Sequence, residues 1–166
     1  RSDDMIVRNR AAFYLGRRFP CVIGRGGLVA DKREGDGGTP TGALRMAALR
    51  WRADRGTRPS GQLPGKPIGP HDLWSDDPAD PRYNHEIRDP RGYSHERMRR
   101  RDRLYDLVAI TDHNWPDAVP GRGSAIFVHC WRAPGRPTEG CVAFDPLHLR
   151  WILARWRPWG RIIVRP

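Results

Sequence analysis

A cysteine and a histidine in the second half of the chain have the residue types and spacing for covalent catalysis. Cys141 follows Gly140, and His129 precedes the cysteine by twelve positions. A thiol becomes a strong nucleophile when a neighbouring base or positive field removes its proton, and a loop of this size can fold the imidazole back onto the sulfur. Gly140 lets the backbone approach a substrate closely, and the N–H groups of Gly140 and Cys141 could hold an oxyanion. The pattern therefore predicts a Cys141–His129 nucleophile pair.

The same residues admit two other interpretations. A free cysteine is most often a small buried hydrophobe, so Cys141 could be inert packing. His129, Cys130 and Cys141 are also potential zinc ligands, although no CxxC or HxxxH pair accompanies them. Spacing alone leaves these alternatives open.

Two strands and a helix are expected to position the pair. The apolar run 124–129 predicts a buried strand that ends at His129, and residues 142–144 predict a short strand directly after Cys141. Asp145 and Pro146 are typical of a helix start, as N-cap and first helical residue. Apolar residues at helical spacing then predict a helix over residues 145–157.

The rest of the chain indicates more strands and many turns. With 18 Gly and 16 Pro, the composition favours a strand-rich fold with long loops. Further short strands are predicted at residues 5–7, 11–15, 19–23, 43–49, 104–111 and 160–164. We expect a mainly β domain, with a sandwich-like or barrel-like mixed sheet and one helix in the C-terminal half. At 166 residues, a single domain over 1–166 is the natural expectation.

Residues 51–103 are rich in Pro, Gly, Asp and Arg and show few apolar runs. A stretch this long inside one domain is either disordered or a functional cover. Its aromatic and histidine residues favour a cover, so we interpret 51–103 as a loop insertion that lines or closes a cleft. Ser94 is a candidate N-cap for a short helix running to Arg101, and His95 could reach the active site.

The segment around the pair resembles the active site of YkuD-type L,D-transpeptidases, which are bacterial cell-wall enzymes. Their strand-end His corresponds to His129, and their Ser/Thr-His-Gly-Cys turn corresponds to 138–142. Glu139 stands where most members have a second His, Ala143 stands where many have Arg or Asn, and the loop from His129 to Cys141 is several residues shorter than usual. A proteobacterial branch carries this Thr-x-Gly-Cys form. The other matching segments are 31–36, 39–42, 77–78, 83–84, 94–96, 113–114 and 121–126.

The resemblance implies acyl transfer between peptidoglycan stem peptides. Cys141 would form a thioester with a donor stem, His129 would move the proton, and the N–H groups of Gly140 and Cys141 would hold the oxyanion. A backbone carbonyl or Glu139 would orient His129. The family chemistry needs no metal and no organic cofactor, and it implies a carbapenem-sensitive enzyme of the periplasm or cell envelope.

Six further residues are predicted to contact the substrate, from the resemblance or from polar positions next to predicted strand ends and loops. They are Glu139, Thr138, His113, Tyr83, His95 and Arg33. His95 also has a plain interpretation as a loop residue, His113 as a residue that satisfies loop backbone groups, and Arg33 as part of a solvated turn.

Charge and cysteine content bound the remaining alternatives. The net charge of +11 favours an anionic partner, either a wall polymer or nucleic acid, but the basic residues follow no nucleic-acid motif and we expect no nucleic acid. Three Cys do not form a disulfide scaffold.

No apolar segment is long enough to span a bilayer and none has the pattern of a signal peptide, so the location of the protein is implied by the resemblance alone. We expect a monomer. The alternative functions are an L,D-carboxypeptidase or peptidoglycan peptide hydrolase with the same Cys-His site, and a non-catalytic basic binding module for wall polymer or nucleic acid.

Overall fold

The strands and the helix were located in a computed structural model that describes residues 2–166; Arg1, the first residue of the predicted domain, lies outside that range. In chain order the strands are β1 Met5–Arg8, β2 Ala11–Tyr14, β3 Arg17–Val22, β4 Leu28–Val29, β5 Thr39–Pro40, β6 Gly42–Leu44, β7 Met46–Trp51, β8 Gly65–Pro67, β9 Leu73–Ser75, β10 Glu86–Ile87, β11 His95–Arg97, β12 Leu107–Thr111, β13 Phe127–Cys130, β14 Val142–Phe144 and β15 Ile162–Val164. The helix α1, Pro146–Arg155, lies between β14 and β15.

Most of the strands belong to one ten-stranded mixed sheet, in the order β6-β15-β1-β2-β3-β14-β13-β12-β7-β8. The β13–β14, β1–β15 and β7–β8 pairs are parallel, and the other pairs of this sheet are antiparallel. The predicted mainly β fold with a mixed sheet and a helix in the C-terminal half is confirmed. β13, which carries His129, and β14, which directly follows Cys141, lie near the middle of the sheet.

The helix α1 begins where its capping residues predict. The Asp145 carboxylate accepts hydrogen bonds from the backbone N–H groups of Leu147 (2.9 Å) and His148 (3.4 Å), and Pro146 occupies the first turn. The helix ends at Arg155, two residues before the predicted end, because the backbone at Trp156 turns to an extended conformation. Its buried side chains, Leu149, Ile152 and Leu153, pack on one face of the large sheet.

The two faces of β13 contribute to two separate hydrophobic cores. Val128 and Cys130 face the core that includes the helix, whereas Phe127 faces a second core that includes Cys141. This division follows from the alternation of side chains along a strand. It puts the odd-numbered residues of β13, including His129, on the face that the helix does not cover.

Residues 51–103 cover that second face. They form a three-stranded sheet in the order β10-β9-β11, and Trp74 of β9 packs edge-on against Phe127 with ring centroids 4.9 Å apart. The predicted short helix after Ser94 is wrong, because β11 forms there and pairs with β9, with Glu96 opposite Trp74. Within residues 2–166, no helix is long and apolar enough to cross a membrane.

Candidate active site

The parallel pairing of β13 and β14 sets the positions of the candidate pair. Val128 is opposite Val142, so Cys141, one residue before β14, falls level with Phe127. The Phe127 N–H donates to the Cys141 sulfur over 3.3 Å. His129 lies two residues further along the same face of β13, and both His129 and Cys141 line one cleft of about 410 Å³.

The Cys141 thiol is buried and uncharged in this arrangement. It donates a hydrogen bond to the Ala125 carbonyl oxygen over 3.1 Å. Burial raises the pKa of the thiol to about 12, the negative charge of Glu96 acts in the same direction, and the Phe127 N–H and the Lys32 charge oppose them. At neutral pH the sulfur is therefore a thiol, which needs a base before it can attack.

His129 is also buried, and its ring is held from two sides. Its Nδ1 lies 2.8 Å from the Cys130 carbonyl oxygen, and its ring meets the Tyr105 ring nearly at a right angle, with centroids 5.3 Å apart. Burial lowers the pKa of His129 to about 4, so the imidazole is neutral at neutral pH. A neutral ring that donates through Nδ1 has its lone pair on Nε2, which is the form a general base requires.

Of the two groups considered for orienting His129, the backbone carbonyl of Cys130 makes the contact. The Glu139 carboxylate is instead at the rim of the cleft, where it accepts both of its hydrogen bonds from Arg25 Nε (2.8 and 3.1 Å). Both side chains are largely exposed, so this ion pair is a weak contribution to stability. Glu139 remains a predicted substrate contact at the rim.

The turn before the cysteine requires glycine. Gly140 has a φ of +143°, and a Cβ there would lie 2.9 Å from the Gly38 carbonyl oxygen and 3.2 Å from Ile126 Cδ1. The Gly140 carbonyl accepts a hydrogen bond from the Thr39 hydroxyl (2.8 Å), which holds the segment 39–42 against this turn.

Thr138 closes the same turn through its hydroxyl group. The hydroxyl donates to the Cys141 carbonyl (2.6 Å) and accepts from the Gly140 N–H (3.1 Å). The Gly140 N–H therefore has a partner in this state and would have to leave Thr138 to bind an oxyanion. The predicted oxyanion role of this N–H stays a prediction that requires a small movement of the turn.

The other four predicted substrate contacts lie outside the lining of this cleft. Arg33 is an exposed residue whose guanidinium pairs with Asp31 (2.7 Å). His95 is exposed on β11, with Nδ1 2.9 Å from the Tyr93 carbonyl oxygen. Since neither side chain borders the space beside Cys141, each could meet only a remote part of a long substrate.

Tyr83 and His113 belong to the network beneath the loop 31–36. The Tyr83 hydroxyl donates to the Glu34 carboxylate, and burial together with this contact raises the pKa of Tyr83. His113 Nε2 lies 3.1 Å from the Arg122 carbonyl oxygen, and burial lowers its pKa. Their predicted roles in substrate binding stay predictions, while their observed contacts join loops.

The sequence analysis missed several charged and polar residues that line the cleft beside the pair. These are Glu96, Arg100, Tyr105, Arg132 and Arg136. Arg132 and Arg136 are exposed, and neither guanidinium forms an ion pair within the described range 2–166. Their position in the loop that joins His129 to Cys141 was a signal that could have made these two arginines candidates.

A buried asparagine supports the backbone that receives the thiol. Ala125 has a φ of +50°, and its N–H donates to the Asn84 side-chain oxygen over 3.0 Å. The same oxygen accepts from the Trp74 indole (3.0 Å), and the Asn84 amide donates to the Asn114 carbonyl (2.6 Å). Asn84 thus ties residues 51–103 to the segment that directly precedes β13.

The zinc interpretation does not agree with this geometry. Cys130 is on the opposite face of β13 from His129 and packs in the core that includes the helix. Residues 2–166 contain no group of three His, Cys, Asp or Glu side chains arranged to hold a metal ion. His129, Cys130 and Cys141 therefore do not converge on one point.

Comparison with protein families gives a match over nearly the whole chain. The family model YkuD, described as the L,D-transpeptidase catalytic domain, matches residues 5–164. No curated protein and no solved structure matches this chain. The matched range includes β13, β14, the loop between them that ends at Cys141, and residues 51–103.

Proposed function

Because this chain belongs to the YkuD family of L,D-transpeptidase catalytic domains, we propose that it cross-links peptidoglycan stem peptides through a thioester on Cys141. The observation that carries the proposal is the parallel β13–β14 pairing. It directs His129 and Cys141 into one cleft on the face of the sheet that the helix leaves free. The family acts in the cell envelope, and we propose the same location for this protein.

The first half-reaction makes the thioester. The Cys141 thiol turns from the Ala125 carbonyl towards His129, and Nε2 takes the proton as sulfur attacks the donor carbonyl carbon. The new S–C bond forms, the peptide C–N bond breaks, and His129 returns the proton to the departing amine. The Cys141 N–H, with the Gly140 N–H once it leaves Thr138, stabilises the oxyanion.

The second half-reaction needs a nucleophile. An amine of a second stem attacks the thioester carbonyl, an amide bond forms, and the thiol is regenerated. Water in place of the amine gives the carboxypeptidase outcome, because both routes share the thioester.

The charges around the cleft suit anionic stem peptides. Arg132 and Arg136 are exposed at the cleft, without an ion-pair partner in the described part of the chain. Stem peptides carry carboxylates, and arginine binds a carboxylate through two parallel hydrogen bonds. We propose that these two residues hold a carboxylate of the donor or the acceptor stem.

The proposal is tested by incubating the protein with purified disaccharide-tetrapeptide and following protein and products by intact mass. We expect a thioester adduct and a cross-linked dimer from the wild type and neither from Cys141→Ala. Cys21→Ala is the matched control, because Cys21 is buried away from the cleft. A carbapenem is a second probe, since it should acylate the same thiol.

The other outcomes separate the alternatives. Shortened monomer without dimer would identify a carboxypeptidase. Absence of any thioester in a folded wild-type protein would contradict the proposal and favour a binding module, whose affinity should survive Cys141→Ala and fall steeply with salt.

A further inference from the structure

A carboxylate that the mechanism above does not use lies in the same cleft as the pair. Glu96 projects from β11 and lines the cleft with Cys141 and His129. Its carboxylate accepts a hydrogen bond from the Tyr105 hydroxyl over 2.5 Å, and the Tyr105 ring packs against His129. The charge of Glu96 is close enough to act on the Cys141 thiol. Glu96 is therefore beside the place where the thioester would form.

This carboxylate is in no ion pair of the described residues, although the positive charge of Arg100 acts on it. Glu139, the other carboxylate at the cleft, is paired with Arg25, and the nearby Arg100 is paired with Asp102 through two hydrogen bonds of 2.8 and 2.7 Å. Within residues 2–166, Glu96 forms no ion pair. A partly buried carboxylate without a counter-ion is costly unless a cation binds there or the group takes up a proton. Burial raises the pKa of Glu96, which makes it a stronger base than an ordinary carboxylate.

The second half-reaction needs a group that can both bind a cation and accept a proton. An amine of the acceptor stem arrives largely as an ammonium ion, and its nitrogen must lose two protons before it is part of an amide. One proton is returned to the Cys141 sulfur through His129 as the C–S bond breaks. The other proton needs a second base within reach of the incoming nitrogen.

We propose that Glu96 is the acceptor-side residue of this enzyme, which binds the ammonium group of the acceptor stem and takes its first proton. The amine then attacks as the free base, its second proton passes to His129 and on to the sulfur, and Glu96 releases its own proton to water. Tyr105 positions the Glu96 carboxylate. This inference rests on the proposed transpeptidase function and adds the residue that distinguishes an amine from water as the acceptor.

The test is Glu96→Gln with disaccharide-tetrapeptide as both donor and acceptor. Thioester formation should proceed at least as fast as in the wild type, because the substitution removes a negative charge that opposes thiolate formation. The ratio of cross-linked dimer to hydrolysed monomer should fall about tenfold or more, as expected for loss of a general base. Asp117→Asn, which removes an exposed carboxylate away from the cleft, should leave this ratio unchanged.

Hydroxylamine provides the decisive comparison, because it is largely uncharged at neutral pH and has no ammonium proton to lose. We expect it to release the thioester at equal rates in the wild type and in Glu96→Gln. An unchanged dimer ratio in Glu96→Gln, slow release by hydroxylamine, or loss of thioester formation in this variant would each overturn the inference. Absence of a thioester in the wild type would instead overturn the proposed function itself.

Discussion

The buried, neutral His129 should make the stability of this protein depend on pH in a defined window. Burial lowers its pKa from 6.5 to about 4 in the folded state. The unfolded chain therefore takes up a proton as the pH falls below 6.5, while the folded protein remains unprotonated until about pH 4. The contribution of neutral His129 to the free energy of unfolding is therefore fully present above pH 6.5 and is lost between pH 6.5 and about 4. At about 1.4 kcal/mol per pH unit, this loss amounts to about 3 kcal/mol.

The measurement is the free energy of unfolding in urea across that window, for the wild type and for His129→Gln. Glutamine does not titrate, so the free energy of unfolding of the variant should fall less between pH 6.5 and about 4 than that of the wild type. The two decreases should differ by about 3 kcal/mol. His113, whose pKa is also lowered, and Glu96, whose pKa is raised, titrate in both proteins and cancel in the difference. Parallel curves for the two proteins would refute the reasoning, because they would mean that His129 is solvated or already paired with a negative charge.

Two further predictions concern the thiol and its support. At neutral pH, iodoacetamide should label Cys141 of the native protein about a thousandfold more slowly than it labels a free cysteine, because a pKa of about 12 leaves a thiolate fraction of about 10⁻⁵. The labelling rate is measured by peptide mapping. Fast labelling that does not change with pH would instead indicate a thiolate–imidazolium pair. Asn84→Asp keeps the shape of the side chain but removes the amide group that donates to the carbonyl oxygens of His113 and Asn114. This substitution should lower the free energy of unfolding, measured in urea, by about 3 kcal/mol. A loss below about 0.5 kcal/mol would contradict the assigned hydrogen-bond network.

The strand, turn and helix that carry the site could be predicted because their signals are local, although the strand spans Phe127–Cys130 and not 124–129, since the backbone at Ala125 is left-handed. The apolar run before His129, the glycine before Cys141 and the Asp145-Pro146 helix start each determine the backbone within a few residues. The helix accordingly begins at the predicted capping residue, and the deviation at its end is two residues.

Residues 51–103 show where local signals are insufficient. Ser94 is a good N-cap residue, yet the following residues form β11 because β9, twenty positions earlier, offers a strand edge for pairing. That pairing directs Glu96 into the cleft and leaves His95 and Arg97 exposed. The predicted active-site residue of this segment, His95, is one residue away from Glu96 and points out of the cleft, because successive side chains of a strand alternate between its two faces.

Arg132 and Arg136, the cationic side of the cleft, were missed in the sequence for a different reason. With 30 Lys and Arg residues, a single arginine carries little information in the sequence. Arg132 and Arg136 become distinctive only once the ion pairs are known, since many other arginines have a carboxylate partner.

The neutral state of the pair has a consequence for the order of events. Burial raises the pKa of the Cys141 thiol and lowers the pKa of the His129 imidazole, so both shifts oppose proton transfer ahead of the attack on the donor carbonyl. Proton transfer to His129 is therefore best coupled to the attack of sulfur on the donor carbonyl. Glu96 makes this first step harder through its charge. The attack of an ammonium-bearing acceptor is the step of this reaction in which a carboxylate at that position has a favourable effect.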